Sequence, residues 1–272
     1  MRSFPEHRRW KRRKMPARGF WRALDLKKLI IPADIILKKD CIVVIEGIKA
    51  IDSAKVFYRE ALPPAEGTPS TINVLLLHGR MFSSKTWLDL GTIHILAAMG
   101  YRTVAVDLPG YANTPSAEIP DKGHFLHQII QSFDLRNPVI VSPSMSGYYA
   151  LPFLLKNWKS MAGYIPVAPV GIEVLEDLPK CSDTNCKSQI YAPLQPYLHD
   201  PLPDLSHIQT PTMVIFGEKD RSRNSALLSL LPMSQCQEIP NGSHPAYLDN
   251  PNLWHQLLYN FLCHLSKTYC LE

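Results

Sequence analysis

Pro138-Val139-Ile140-Val141-Ser142-Pro143-Ser144-Met145-Ser146-Gly147-Tyr148-Tyr149-Ala150-Leu151-Pro152-Phe153-Leu154-Leu155 carries the deciding pattern of this chain. A β-branched apolar run enters a turn of small residues. The turn opens into Tyr148–Leu155, which reads as a buried helix. A serine centred in such a strand–turn–helix passage has the context of a nucleophile elbow, whose usual pattern is G-x-S-x-G. Here Ser142 and Ser146 stand where the glycines usually stand. Serine is among the smallest side chains, so strand and helix can still approach closely. Ser144 would sit at the strained apex with its hydroxyl at a helix start, where negative charge is favoured. Alone, S-P-S-M-S also reads as a polar loop, so the remaining chain has to supply the partners.

A nucleophilic serine needs a base, and the base needs an orienting acid. In the α/β-hydrolase fold these follow in the order Ser, Asp or Glu, His. Thr212–Phe216 is a β-rich run ended by Gly217-Glu218-Lys219-Asp220, which places Asp220 at the C-terminal end of a strand. Glu218 competes for the acid role, and Asp220 is favoured. Cys236–Ile239 is a further short strand, leading into the turn-rich Asn241-Gly242-Ser243-His244-Pro245. Among ten histidines His244 alone has this placement. It is the candidate base, against the general tendency of a loop histidine to be a surface residue.

Upstream, Asn73-Val74-Leu75-Leu76-Leu77-His78-Gly79-Arg80 is a buried strand running into a His-Gly turn. Such a turn supplies one oxyanion-hole N–H, and the residue after the nucleophile supplies the other. That nominates the backbone N–H groups of Arg80 and Met145, with Met81 replacing Arg80 on a one-residue shift. His78 reads as a structural histidine bracing the turn. Asp107, after Thr103–Val106, reads as an anchor for its loop.

Strand candidates recur at Val74–Leu77, Thr103–Val106, Val139–Val141, Tyr164–Val167, Thr212–Phe216 and Cys236–Ile239. Helix candidates alternate with them at Trp87–Met99, Phe125–Phe133, Tyr148–Leu155, Ser225–Leu231 and Leu253–Leu265. The expected fold is α/β: an α/β-hydrolase fold with a mostly parallel central sheet flanked by helices and no large cap domain. Cys41–Glu46 and Lys55–Arg59 read as an antiparallel pair at the sheet edge. With 272 residues and 46% hydrophobic content the chain can bury one sizeable core.

Residues 1–40 hold 13 Lys or Arg against 4 Asp or Glu, whereas residues 41–272 hold 16 against 20. The expected division is a basic, flexible extension at 1–40 and a mildly acidic catalytic domain at 41–272, with a Pro-rich insertion at 176–207 that reads as a small lid. Arg8-Arg9-Trp10-Lys11-Arg12-Arg13-Lys14 admits three readings: a nuclear-targeting or anion-binding tail, a mitochondrial presequence, or a solvated arm. Because the basic charge is not interleaved with the predicted fold, a nucleic-acid function is not expected. No apolar run of about 18 residues occurs, and the N-terminus lacks the apolar core of a secretory signal. The expected location is the cytoplasm, or the nucleus with a protein partner there. The six cysteines show no zinc-site spacing, so no metal is expected; the spacing of Cys181 and Cys186 would allow a bridge across a small loop, but an intracellular chain usually keeps such a pair as thiols. Asn241-Gly242-Ser243 is formally a glycosylation sequon, read as unoccupied because a glycan there would obstruct His244.

Several motifs resemble the α/β-hydrolase domain-containing protein 14 family, from about Val56 to Phe261. They include Phe57-Tyr58-Arg59-Glu60-Ala61-Leu62-Pro63, Leu75-Leu76-Leu77-His78-Gly79, Phe82-Ser83-Ser84-Lys85-Thr86-Trp87 and Asp107-Leu108-Pro109-Gly110. The S-P-S-x-S-G elbow followed by Ala150–Leu154, and Ser243-His244-Pro245-Ala246-Tyr247-Leu248-Asp249, complete the likeness. The resemblance implies Ser144 as nucleophile, Asp220 as acid and His244 as base, the residues that chain order nominates independently. It implies acyl transfer from an acylated protein lysine, with coenzyme A as acceptor, since one family member is described that way. No cofactor is required, and no phosphate-cradling glycine loop is present from which a coenzyme A site could be read. The rival readings are a carboxylesterase for small acyl esters and a non-catalytic binding module on the same fold. The chain departs from the family in the length of Glu176–His207, rich in proline, and in its basic arm where one branch carries a membrane segment.

Overall fold

The computed structural model describes residues 18–65, 69–181 and 190–269. Its strands are β1 (Val44–Ile51), β2 (Ala54–Ala61), β3 (Val74–Leu76), β4 (Thr103–Val106), β5 (Val139–Pro143), β6 (Gly163–Val167), β7 (Thr212–Gly217) and β8 (Ser234–Ile239). They form one eight-stranded sheet in the order β1-β2-β4-β3-β5-β6-β7-β8. The first two pairings, β1 with β2 and β2 with β4, are antiparallel; all others are parallel. The edge hairpin turns at Asp52, whose φ of +50° is a conformation that aspartate tolerates better than most residues. The α/β-hydrolase expectation of a mostly parallel, helix-flanked sheet is met.

Both faces of the sheet are covered, which explains why its strands read as continuous apolar runs. Alternate side chains point to opposite cores. Val74, Leu76, Val139, Val141, Met213 and Ile215 join one core; Leu75, Ile140, Val214 and Phe216 join the other. The described helices are α1 (Arg18–Ala23), α2 (Ala33–Lys39), α3 (Ser84–Asp89), α4 (Thr92–Ala98), α5 (Lys122–Ser132), α6 (Gly147–Asn157), α7 (Arg223–Leu228), α8 (Ala246–Asp249) and α9 (Pro251–Tyr269). Trp21, Trp87, Leu96, Trp254 and Phe261 bring α1, α3, α4 and α9 to the first core. Phe125, Tyr149, Leu154 and Leu227 bring α5, α6 and α7 to the second.

Two boundaries differ from the expectation. Trp87–Met99 is two helices, because Gly91 takes a left-handed φ of +76° between them and no β-carbon opposes that turn. The packed unit also begins before residue 41. Trp21 and Leu26 are buried, Trp21 packs 5.7 Å from Phe261, and the Leu29 N–H donates to Asn260 Oδ1 at 3.0 Å. The basic run Arg8–Lys14 lies outside the described residues. Of Glu176–His207, residues 182–189, Cys186 among them, lie outside as well. The described remainder buries Leu194, Leu198, Leu202 and Leu205 in the second core. No described helix is long and apolar enough to cross a membrane.

Gly147, the first residue of α6, shows how closely the elbow is packed. A β-carbon there would overlap the carbonyl oxygen of Val170, a backbone atom that cannot swing aside. Gly147→Ala is therefore expected to destabilise the fold by about 1–3 kcal/mol. Urea unfolding checks this; an unchanged midpoint would contradict the close approach.

Candidate active site

β5 delivers Ser144 at the centre of the sheet. Pro143 closes the strand, and Ser144 enters a single helical turn with φ of +46°, a left-handed conformation that is costly for a residue with a side chain. Over-determination by the surroundings holds it there. Ser146 Oγ donates to the Pro143 carbonyl at 2.8 Å, and Ser142 Oγ lies 3.1 Å from Ser146 Oγ. Both hydroxyls are buried, and their mutual contact removes the penalty that a lone buried hydroxyl would carry. The two serines replacing glycine thus tie the turn down beneath Ser144.

The facing loops come from β7 and β8. Past Gly217 a single turn, Glu218–Asp220, presents Asp220. Gly217 lies against the backbone of Gly242 and Ser243 too closely for any β-carbon, and the Lys219 N–H donates to the Gly242 carbonyl at 3.0 Å. Arg221 holds Glu238 through two hydrogen bonds of 2.6 and 2.8 Å. On the histidine side, the Ser243 N–H and Oγ–H both donate to Asp249 Oδ2 at 2.6 Å. That bracket sets the direction in which the next residue leaves.

His244 Nε2 is 2.8 Å from Ser144 Oγ, and His244 Nδ1 is 2.8 Å from Asp220 Oδ2. With Nδ1 carrying its proton toward the carboxylate, Nε2 is free to accept from the hydroxyl. The hydrogen bond to Asp220 raises the affinity of His244 for a proton above the ordinary imidazole range, against partial desolvation. Glu218, the competing acid, instead accepts from the Asn241 N–H at 2.8 Å.

His78 is wholly buried: Nε2 accepts from the Leu108 N–H at 2.9 Å, and Nδ1 meets the Gly79 carbonyl at 2.9 Å. Burial pushes its proton affinity down, so it stays neutral and braces the turn. Asp107 accepts from the N–H groups of Ser84 at 2.7 Å and Asn113 at 3.1 Å, anchoring its loop. Arg80 and Met145 both border a cavity that reaches Ser144. The Asp249 bracket and the aromatic walls, Phe82 and Tyr247, escaped the sequence reading. A serine six residues ahead of an aspartate carries no periodic signal, and apolar cavity walls look like core.

A strained serine, an imidazole and a carboxylate in one hydrogen-bonded line can exchange a proton between serine and imidazole with the charge held by the acid. That is the equipment of covalent acyl transfer. The chain is similar to several known proteins. Residues 74–182 match the profile described as the alpha/beta hydrolase family. ABHD14B of Rattus norvegicus, named for a proposed protein-lysine deacylase activity, is 36% identical over 81% of this chain and 97% of its own. Protein ABHD14A of Danio rerio is 36% identical over 78% of this chain and 73% of its own. Among solved structures, carboxylesterase CesB of Bacillus subtilis shares the fold with a TM-score of 0.60 at 19% identity, covering 85% of this chain and 97% of its own.

Proposed function

Because the chain belongs to the α/β-hydrolase domain-containing protein 14 family, we propose that it is a serine acyl hydrolase and acyltransferase that removes a small acyl group from protein lysine. The observation carrying this reading is the line Ser144–His244–Asp220 at 2.8 Å and 2.8 Å. Ser144 Oγ attacks the carbonyl carbon of the acylated lysine while His244 Nε2 takes its proton. Asp220 fixes the tautomer and stabilises the imidazolium. The N–H groups of Met145 and Arg80 receive the oxyanion, each donor worth roughly 3–4 kcal/mol of barrier. Collapse breaks the C–N bond, and the lysine amine leaves with the proton from His244. The acyl-serine then passes its acyl group to the thiol of coenzyme A or to water, His244 taking the acceptor's proton and returning it to Ser144.

The test is single turnover with an acetylated lysine peptide, with and without coenzyme A, and with Ser144→Ala as blank. Acetyl-coenzyme A formed only by the intact serine is the expected result. Serine-dependent hydrolysis of simple esters without acetyl-coenzyme A would leave a small-ester carboxylesterase. Neither product, with Ser144 inert to a fluorophosphonate probe, would overturn the reading.

A further inference from the structure

Ser144 stands where two unequal cavities meet. The smaller, about 210 Å³, also touches His244 and runs between Phe82, Val167 and Tyr247. The larger, about 610 Å³, leaves Ser144 past Met145 and is walled by Tyr111, Tyr148 and Tyr149. If Ser144 and His244 act as above, the two cavities receive different halves of the substrate. The departing amine must take a proton from His244, and the incoming thiol or water must give one to it, so both use the cavity that His244 lines. The acyl chain is left with the larger one, which Met145 lines and which Arg80 shares with the smaller.

That cavity carries an unusual charge pattern. Lys122 borders this cavity alone, Arg80 borders both cavities, the two side chains are exposed at the rim, and no carboxylate lines the larger cavity among the described residues. Neither cation forms an ion pair among the described residues; Lys122 Nζ lies 6.0 Å from the centre of the Tyr149 ring. The adjacent Asp121 is engaged elsewhere, by Lys156 Nζ at 3.2 Å and the His124 N–H at 2.9 Å. This occurs in the part of the chain where acids outnumber bases, 20 to 16 over residues 41–272. Two rim cations without an ion-pair partner attract anions to the mouth of the cleft, an effect that solvent screening keeps modest.

We propose that the larger cavity selects acyl groups ending in a carboxylate, the monoacyl dicarboxylate class, chiefly through Lys122, with Arg80 at the junction of the two cavities. This rests on the acyl-transfer reading for the assignment of sides, but its test need not involve turnover. Binding of lysine peptides carrying succinyl or its neutral amide counterpart, succinamoyl, is measured by calorimetry on the full chain in a Ser144→Ala background. The succinyl peptide is expected to bind roughly twofold to fivefold more tightly. Lys122→Glu should erase or reverse that preference, and Lys122→Met should weaken it while keeping the side-chain stem; melting curves check that both variants fold. Equal affinities, or a preference that survives Lys122→Glu, would overturn the proposal. So would a preference that instead follows an aspartate placed beside an acetylated lysine, since that anion enters from the amine side. A charge preference without serine-dependent deacylation would uphold the subsite and sink the acyl-transfer reading. Serine-dependent transfer without the preference would do the reverse.

Discussion

Ser144→Ala is expected to lower kcat for acyl transfer by roughly four to six orders of magnitude, with fluorophosphonate labelling lost altogether. The large figure follows from the line of hydrogen bonds. Without Oγ, His244 has no proton to accept and no covalent intermediate can form, so what remains is the contribution of binding and the oxyanion donors. Stopped-flow and label-transfer measurements check the loss. The same position offers a second readout. Alanine inherits the left-handed φ of +46° and its cost, whereas glycine does not. Ser144→Gly should therefore be equally inactive yet more stable than Ser144→Ala, by about 1 kcal/mol. Undiminished labelling in either variant would remove Ser144 from the role.

Asp220→Asn should cost about 10⁴-fold in kcat while leaving the fold intact. An amide can donate to Nδ1, which turns the imidazole proton toward Ser144, where it cannot accept. The pH profile discriminates this from simple misfolding. His244 must be neutral to act as base, so kcat/KM falls as pH drops through its pKa. In the native chain Asp220 holds that pKa above the ordinary 6.5, so the acidic limb should lie above that value. Loss of the carboxylate should move the limb to lower pH even as the rate collapses. Glu218→Gln, which alters a carboxylate bonded to the Asn241 N–H and 4.0 Å from Arg221, should leave the limb where it was. A limb that moved with Glu218 instead would exchange the two acids.

The fold was legible where burial forces a pattern. β3, β4, β5 and β7 are covered on both faces, so Val74–Leu77 or Thr212–Phe216 show as unbroken apolar runs. Ser144 follows such a run directly and Asp220 lies three residues beyond one, whereas His244 is reached from the half-buried edge strand β8 through the turn at Asn241–Ser243, so its signal is the turn chemistry. The structure brings the three side chains together. Residues 18–40 were not legible, since counting charge hides two buried apolar side chains, Trp21 and Leu26, among lysines and arginines. Nor was the break at Gly91: an isolated glycine within an apolar helical pattern looks tolerable until tertiary packing turns the chain there. Lys122 belongs to the same class. Its meaning comes from Asp121 being occupied by Lys156, a contact 35 residues away in sequence.

The hydrogen-bonded line joins residues 100 positions apart at one link and 24 at the other. Such separations mean that the line is complete only once β7 and β8 have docked and brought Asp220 and His244 to the elbow. A nascent or partly unfolded molecule holds only an ordinary serine hydroxyl, inert toward the acyl donors around it. With Ser144 in the proposed role, reactivity toward a covalent probe is expected to double as a fold-completeness gauge, counting the molecules in a preparation that have finished assembling.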